Sequence, residues 1–114
     1  TLLNAAELIA VHGCTGKGDA NAYLNEVRTR AGLGNASADL DAILHERHVE
    51  LMGEGKRYWD LVRLGQASTV LTPANDEGGF RTKAWTENKK YLPFPQSEMD
   101  ATASTQYPLT QNNY

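Results

Sequence analysis

The distribution of proline divides this chain into two parts that fold differently. All four prolines lie beyond residue 65, and they are Pro73, Pro93, Pro95 and Pro108. A proline inside a helix removes one backbone hydrogen bond and clashes with the preceding turn. Residues 1–65 can therefore form long helices, whereas residues 66–114 are expected to be mostly loops, an extended segment and a tail.

The proline-free part begins with the pattern of a helical hairpin. A first helix is predicted over about residues 1–11, followed by a turn that contains glycine. Asp19 is a suitable N-cap for a second helix that ends at Gly32 or Gly34. The apolar residues of this second helix recur on one face: Ala20, Tyr23, Leu24, Val27 and Ala31. Such a pair, about 33 residues long, is compatible with a tetratricopeptide-like unit of about 34 residues.

A third helix is predicted to break in its middle. Either Ser37 or Asp39 can cap its start. Its apolar face comprises Leu40, Ile43, Leu44 and Leu51. Gly53 and Gly55 interrupt it, since each costs about 1 kcal/mol relative to alanine in a helix interior. A short apolar helix then runs to Gly65. The predicted fold is therefore mainly α: a helical hairpin of tetratricopeptide-like type plus a broken third helix, followed by an irregular, proline-containing C-terminal region.

The second part contains one predicted extended segment. Residues 91–95 must be extended, because each proline fixes its own backbone angle and disfavours helix in the residue before it. One helical turn is predicted over residues 97–100.

Composition excludes several classes of partner. The formal net charge is −3, and the eleven Lys and Arg residues form no cluster, so nucleic acid is not an expected partner. No apolar run reaches the roughly 18 residues that a membrane-spanning helix needs. The single cysteine, Cys14, excludes an internal disulfide and a cysteine-rich zinc cluster.

The third helix carries a charge where an apolar residue is expected. Arg47 falls within its apolar face. An unpaired buried cation costs several kcal/mol, so Arg47 needs a bidentate carboxylate partner. That partner is expected to be Glu50, Glu54 or an acid from another helix. We therefore predict a structural ion network that fixes the broken helix in one geometry. Its expected members are Arg47, Glu50, Glu54, Arg57 and Asp60.

The same charges also allow a catalytic interpretation. A hydrolase or metal site would take carboxylates and ring nitrogens from this segment. The candidates are Glu46, Glu50, Glu54, Asp60, His45 and His48. However, the two histidines do not have the His-Glu-x-x-His spacing of a zinc protease, and the chain carries no nucleophile elbow or phosphate loop. The structural interpretation is preferred, and no metal, cofactor or enzyme activity is expected.

Four motifs, in order, resemble one known family. They occupy residues 23–33, 43–65, 91–100 and 109–114, and residues 54–65 read Glu-Gly-Lys-Arg-Tyr-Trp-Asp-Leu-Val-Arg-Leu-Gly. Together they resemble the C-terminal part of the SusD/RagB family of nutrient-binding outer-membrane lipoproteins. Four motifs in the correct order are far more specific than any one of them.

The resemblance implies a binding protein rather than an enzyme. SusD-like proteins are lipid-anchored on the outer membrane of Bacteroidota, and each caps a SusC-like TonB-dependent transporter. The implied ligand is a glycan or another nutrient. Because the family's proteins are several times longer, residues 1–114 are expected to be the C-terminal part of a SusD-like domain. Contact with the membrane would then be made only through a lipid anchor outside this chain.

Aromatic side chains are the candidates for contact with a sugar ring. Tyr23, Tyr58, Trp59 and Phe94 are expected in the core. Trp85 differs, because it lies in a polar segment without periodicity. It is the candidate ligand residue, and the alternative is that it plugs the side of the helical core. The alternative to nutrient capture is a small helical protein–protein interaction module, which only the first two helices support.

Overall fold

The computed structural model describes residues 1–16 and 18–111, and it is helical throughout its regular parts. Its α-helices are α1 Leu2–Ala10, α2 Ala20–Arg30, α3 Leu40–Glu50, α4 Arg57–Arg63, α5 Ala67–Val70 and α6 Gln96–Thr102. Two short 3-10 helices occupy Pro73–Asn75 and Glu87–Lys90. These described ranges contain no strand, which confirms the predicted mainly α fold. No helix in them is long and apolar enough to cross a membrane.

Backbone contacts divide the chain into two units, Thr1–Asp60 and Leu61–Tyr114. In the first unit α1 packs against α2 and α3. Leu3, Leu24 and Val27 form a buried apolar cluster in this unit. The predicted N-cap of α2 is confirmed, because the Asp19 carboxylate accepts backbone N–H groups at the start of the helix at 3.2 and 3.3 Å.

Polar side chains of α2 hold the loop that leads to α3. A loop without regular structure must find other partners for its backbone groups. Three side chains on one face of α2 supply them, at donor–acceptor distances of 2.8–3.0 Å. The side-chain to backbone pairs are Asn21 with Ala38, Asn25 with Ala36, and Arg28 with Gly34.

The predicted break after α3 is confirmed. Helix α3 ends at Glu50, and α4 begins at Arg57. Gly53 and Gly55 lie between them with φ of 86° and 68°. These left-handed angles suit glycine, because other residues meet steric strain there. The two glycines thus let the chain turn between α3 and α4.

The second unit contains more helix than the sequence predicted. Helix α5 and the 3-10 helix at Pro73–Asn75 are too short to show a repeating apolar face, so hydrophobic periodicity could not reveal them. Helix α6 extends beyond the single predicted turn. In the segment before it, Tyr91 and Pro95 have the predicted extended backbone angles. The side-chain amide of Gln111 pairs with both backbone groups of Phe94 at 3.0 and 3.1 Å. The end of the predicted tail, residues 112–114, lies outside the described residues.

We expect Asp39→Ala to destabilise the first unit by about 1 kcal/mol, the usual cost of losing an N-cap. The structure selects Asp39 over Ser37 as the cap of α3, because the Asp39 carboxylate accepts the N–H of Ala42 at 2.8 Å. Urea unfolding followed by circular dichroism measures the loss. Ser37→Ala is the matched control and should change stability by less than about 0.5 kcal/mol. Equal losses in the two variants would contradict this assignment.

Candidate binding cleft and its buried ion pairs

Among the described residues of the first unit, 1–16 and 18–60, four charged side chains are buried. Their exposed fractions are 4% for Glu7, 3% for Glu46, 7% for Arg47 and 5% for Asp60. Charges removed from water to this extent must be paired and hydrogen-bonded to be tolerated. Their partners therefore define how the helices of this unit are held together.

Arg47 is the centre of the main cluster. Its Nε and one terminal nitrogen donate to the two carboxylate oxygens of Asp60 at 2.8 and 3.0 Å. Its other terminal nitrogen donates to the side-chain oxygen of Asn4, and Nε lies 3.9 Å from the Glu7 carboxylate. The carboxylate partner thus comes from another helix, one of the expected alternatives. This arrangement ties α1, α3 and α4 together.

The remaining expected network members lie apart from this cluster. Glu50 pairs with Arg30 of α2. Glu54 pairs with Lys56 at 2.8 Å on the exposed turn. Arg57 donates to the backbone carbonyl of Leu44 at 3.0 Å. The structure therefore brings Arg47 and Asp60 together and distributes the other three over separate contacts.

Two buried acids were missing from the expected network. Glu7 lies one helical turn after Leu3 on the buried face of α1, and this spacing was a signal in the sequence. Glu46 accepts a 2.8 Å hydrogen bond from Arg28 of α2. The four carboxylates of the catalytic interpretation are each bonded to a basic side chain. Within residues 1–16 and 18–111, no three potential metal ligands come together.

A cleft of about 390 Å³ lies beside the turn between α3 and α4. Its polar lining comprises Arg47, His48, Lys56, Arg57 and Tyr58. Apolar side chains and the two glycines of the turn complete the wall. Tyr58 is held by an edge-to-face contact with Trp59, with ring centroids 5.0 Å apart. The cleft thus combines an aromatic ring with several hydrogen-bond donors, a combination that suits a saccharide.

The exposure of several aromatic side chains differs from expectation. Trp59 and Phe94 are 47% and 44% exposed, so their expected core positions are wrong. The buried residues next to Trp59 on α4 are Asp60 and Leu61, which turn the indole away from the core. Trp85 is only 6% exposed, and its backbone N–H donates to the carbonyl of Leu71 at 3.0 Å. The burial of Trp85 favours the alternative that its side chain packs in the protein interior. Its role in ligand binding stays a prediction.

His48 should make the folded chain less stable in mild acid. Partial desolvation lowers the pKa of His48 below its ordinary 6.5, and the nearby Arg57 and His45 lower it further. The unfolded chain therefore takes up this proton first as pH falls. His48 therefore costs no stability well above pH 6.5, and the loss of unfolding free energy grows as pH falls from 6.5 towards the folded-state pKa. An NMR titration of the His48 ring measures that pKa.

Arg57→Gln is the diagnostic variant, because it removes a positive charge that lowers the His48 pKa and should therefore raise that pKa. His48→Gln should reduce the loss of unfolding free energy between about pH 7 and pH 5. A His48 ring that titrates at or above 6.5 in the parent chain would contradict this expectation.

The sequence matches the SusD family over residues 1–114, so the chain belongs to that family. Surface glycan-binding protein A from Bacteroides thetaiotaomicron is 55% identical with a TM-score of 0.84, and the match covers 99% of this chain and 23% of that one. That protein has also been solved in complex with laminarihexaose. Surface glycan-binding protein A from Bacteroides fluxus is 39% identical with a TM-score of 0.86, over 98% of this chain and 25% of that one.

A further relative is the SusD-like protein P38 from Formosa agariphila. It is 54% identical over 35 residues, which are 31% of this chain and 7% of that protein. The chain thus spans a quarter or less of the length of these relatives. The predicted family is confirmed, and SusD-like proteins are non-catalytic glycan-binding proteins, as the preferred interpretation of the charges required.

Proposed function

We propose that this chain is part of a cell-surface lipoprotein that captures oligosaccharides for import through a SusC-like TonB-dependent transporter of the outer membrane. The observation that carries this proposal is the 55% identity, over 99% of the chain, to a surface glycan-binding protein solved with laminarihexaose. A glycan of that kind is the ligand to test first. We further propose that residues 1–114 form the C-terminal part of a SusD-like domain.

The buried ion pairs support a scaffold role for the first unit. Arg47 links three helices through Asp60, Asn4 and Glu7, and Arg28 links α2 to α3 through Glu46. Such pairs make helix positions specific rather than simply adding stability. A glycan-binding protein needs a rigid support of this kind, because sugar recognition depends on preorganised side chains.

Of the two tryptophans, Trp59 is better placed to contact a glycan, because its indole is exposed. It is 47% exposed and neighbours the cleft through Tyr58, whereas Trp85 is 6% exposed. Sugar rings stack on accessible aromatic faces, and a buried indole offers little of its face. The two tryptophans of the chain therefore lead to opposite predictions for the same experiment.

Tryptophan fluorescence during titration with laminarihexaose tests this proposal. The Trp85→Phe variant retains only Trp59 and should show a saturable change. The Trp59→Phe variant retains only Trp85 and should show a much smaller one. A mannose hexasaccharide serves as the control glycan. If the fluorescence of Trp59→Phe changes as strongly as that of the parent chain and that of Trp85→Phe does not change, the proposed contact with Trp59 is wrong. The result would then support the ligand role of Trp85 that the sequence suggested. No change in any variant contradicts glycan binding by this chain.

Co-purification tests the proposed transporter partner. An affinity tag on the genomic copy should recover a TonB-dependent transporter from detergent-solubilised outer membranes. The same tag on an unrelated surface lipoprotein is the control. Recovery of the tagged protein in the soluble fraction, without any transporter, would contradict the proposed localisation and partner.

A further inference from the structure

We propose that the cleft between α3 and α4 binds an acidic sugar, with its carboxylate at Arg57 and its ring against Tyr58. The ligand class is a uronate, a sugar whose terminal carbon is a carboxylate. This inference rests on the proposed function only in taking the ligand to be a saccharide. The inference goes beyond the proposed function because it adds selection for a negative charge, which laminarihexaose lacks.

The charge balance of the cleft favours an anion. Arg47 is neutralised by Asp60, and Lys56 is paired with Glu54. Within residues 1–16 and 18–111, Arg57 has no carboxylate partner. No residue that lines the cleft is acidic. The guanidinium of Arg57 therefore contributes a positive charge that the surrounding protein does not compensate.

Arg57 is also held in position to receive a carboxylate. One of its terminal nitrogens donates to the Leu44 carbonyl at 3.0 Å, which fixes the side chain at the partly buried wall of the cleft. A guanidinium has five N–H groups in a rigid plane, and a carboxylate can bind two of them side by side. The donors that the Leu44 contact leaves over are sufficient for such a pair.

The rest of the cleft suits a sugar ring rather than a small anion alone. A volume of about 390 Å³ lies within the roughly 300–1,000 Å³ range of small-molecule sites. Tyr58 supplies an aromatic surface, and its contact with Trp59 orients the ring. Gly53 and Gly55 line one wall without side chains, so a ligand can approach the backbone closely.

His48 offers hydrogen bonds to hydroxyl groups from the same wall. Its pKa is lowered, in part by the positive charge of Arg57, so the ring is neutral at pH 7. A neutral imidazole has one donor and one acceptor nitrogen, which matches the mixed character of sugar hydroxyls. An anion bound beside Arg57 should in turn raise the His48 pKa, because it offsets that charge.

NMR titration of the isotope-labelled chain with glucuronate tests the inference. Glucose and acetate are the matched probes, because glucose has the sugar ring without the carboxylate and acetate has the carboxylate without the ring. Glucuronate should produce saturable shifts at the Arg57 side chain and the His48 ring and should raise the His48 pKa. Glucose and acetate should each bind at least tenfold more weakly. A response to glucose equal to that to glucuronate would overturn the proposed selection for a negative charge. A response to acetate equal to that to glucuronate would overturn the proposed recognition of the sugar ring and leave a simple anion site.

Substitutions locate the response. Arg57→Gln should weaken glucuronate binding at least tenfold, whereas Arg30→Gln, whose partner is Glu50 and which does not line the cleft, should leave it unchanged. Unchanged binding in Arg57→Gln overturns the proposal. If that variant does not fold, the His48 pKa in the parent chain decides, and an unaltered value with saturating glucuronate overturns it. Laminarihexaose binding without any glucuronate response would overturn this inference alone and leave the proposed function standing.

Discussion

Replacing Arg47 by methionine should lower the free energy of unfolding by about 3–5 kcal/mol, because it removes the cation that makes two hydrogen bonds to the buried Asp60 carboxylate. Arg47 is 7% exposed and Asp60 is 5% exposed, and two hydrogen bonds of 2.8 and 3.0 Å join them. The methionine side chain fills a similar volume, so the loss is mainly electrostatic. Urea unfolding monitored by circular dichroism gives the difference.

Two further variants separate burial from charge in this experiment. Arg30→Met breaks the pair with Glu50, in which the arginine side chain is 68% exposed, and should cost less than about 1 kcal/mol. Adding Asp60→Leu to Arg47→Met should recover part of the loss, because it removes the buried carboxylate that no longer has the Arg47 guanidinium beside it. A loss below about 1 kcal/mol for Arg47→Met alone would mean that the pair is not buried in solution.

Leu24→Ala should destabilise the first unit by about 2–5 kcal/mol, since it opens a cavity in a closely packed cluster. Leu24 is fully buried and packs with Leu3 and Val27 at the contact of α1 with α2. The same urea experiment measures the effect. Leu33→Ala, at a leucine that is 47% exposed, is the matched control and should cost within about 0.5 kcal/mol. Equal losses would contradict the assignment of Leu24 to the core.

Helices α1 to α4 could be predicted because local signals agree with one another there. Asp19 caps α2, its apolar residues repeat at helical spacing, and the glycines at 53 and 55 mark the break after α3. A match to the SusD family over residues 1–114 agrees with the resemblance that the four motifs indicated. Helix α5 and the two 3-10 helices of the second unit leave no periodic pattern, and sequence reasoning missed them, whereas α6 was predicted as a single turn.

The burial of Arg47 could be predicted, but its partner could not be chosen from the sequence alone. The apolar spacing placed Arg47 on the core face, and physical chemistry then required a carboxylate. Glu50 and Glu54 were nearer in sequence, yet the partner is Asp60, which the turn between α3 and α4 brings back to Arg47. Such a choice depends on tertiary geometry, which helical spacing does not encode.

The predicted burial of Trp59 was wrong for a related reason. An apolar context predicted a buried Trp59, but its side chain is 47% exposed. For Trp85 the sequence left a ligand role and a core position open, and the side chain is 6% exposed. Side-chain burial is decided by what packs against an element. On a helix as short as α4, a shift of one residue rotates a side chain from the core to the surface.

Glycan binding is tested most directly by isothermal titration calorimetry of the folded protein with laminarihexaose. We expect saturable heat with a dissociation constant below about 1 mM, which is at least about 4 kcal/mol of binding free energy. Arg30→Met should bind equally well, because its surface pair supports neither the cleft nor the core. No saturable heat at millimolar laminarihexaose, with native circular dichroism retained, would contradict the claim that this chain takes part in glycan capture.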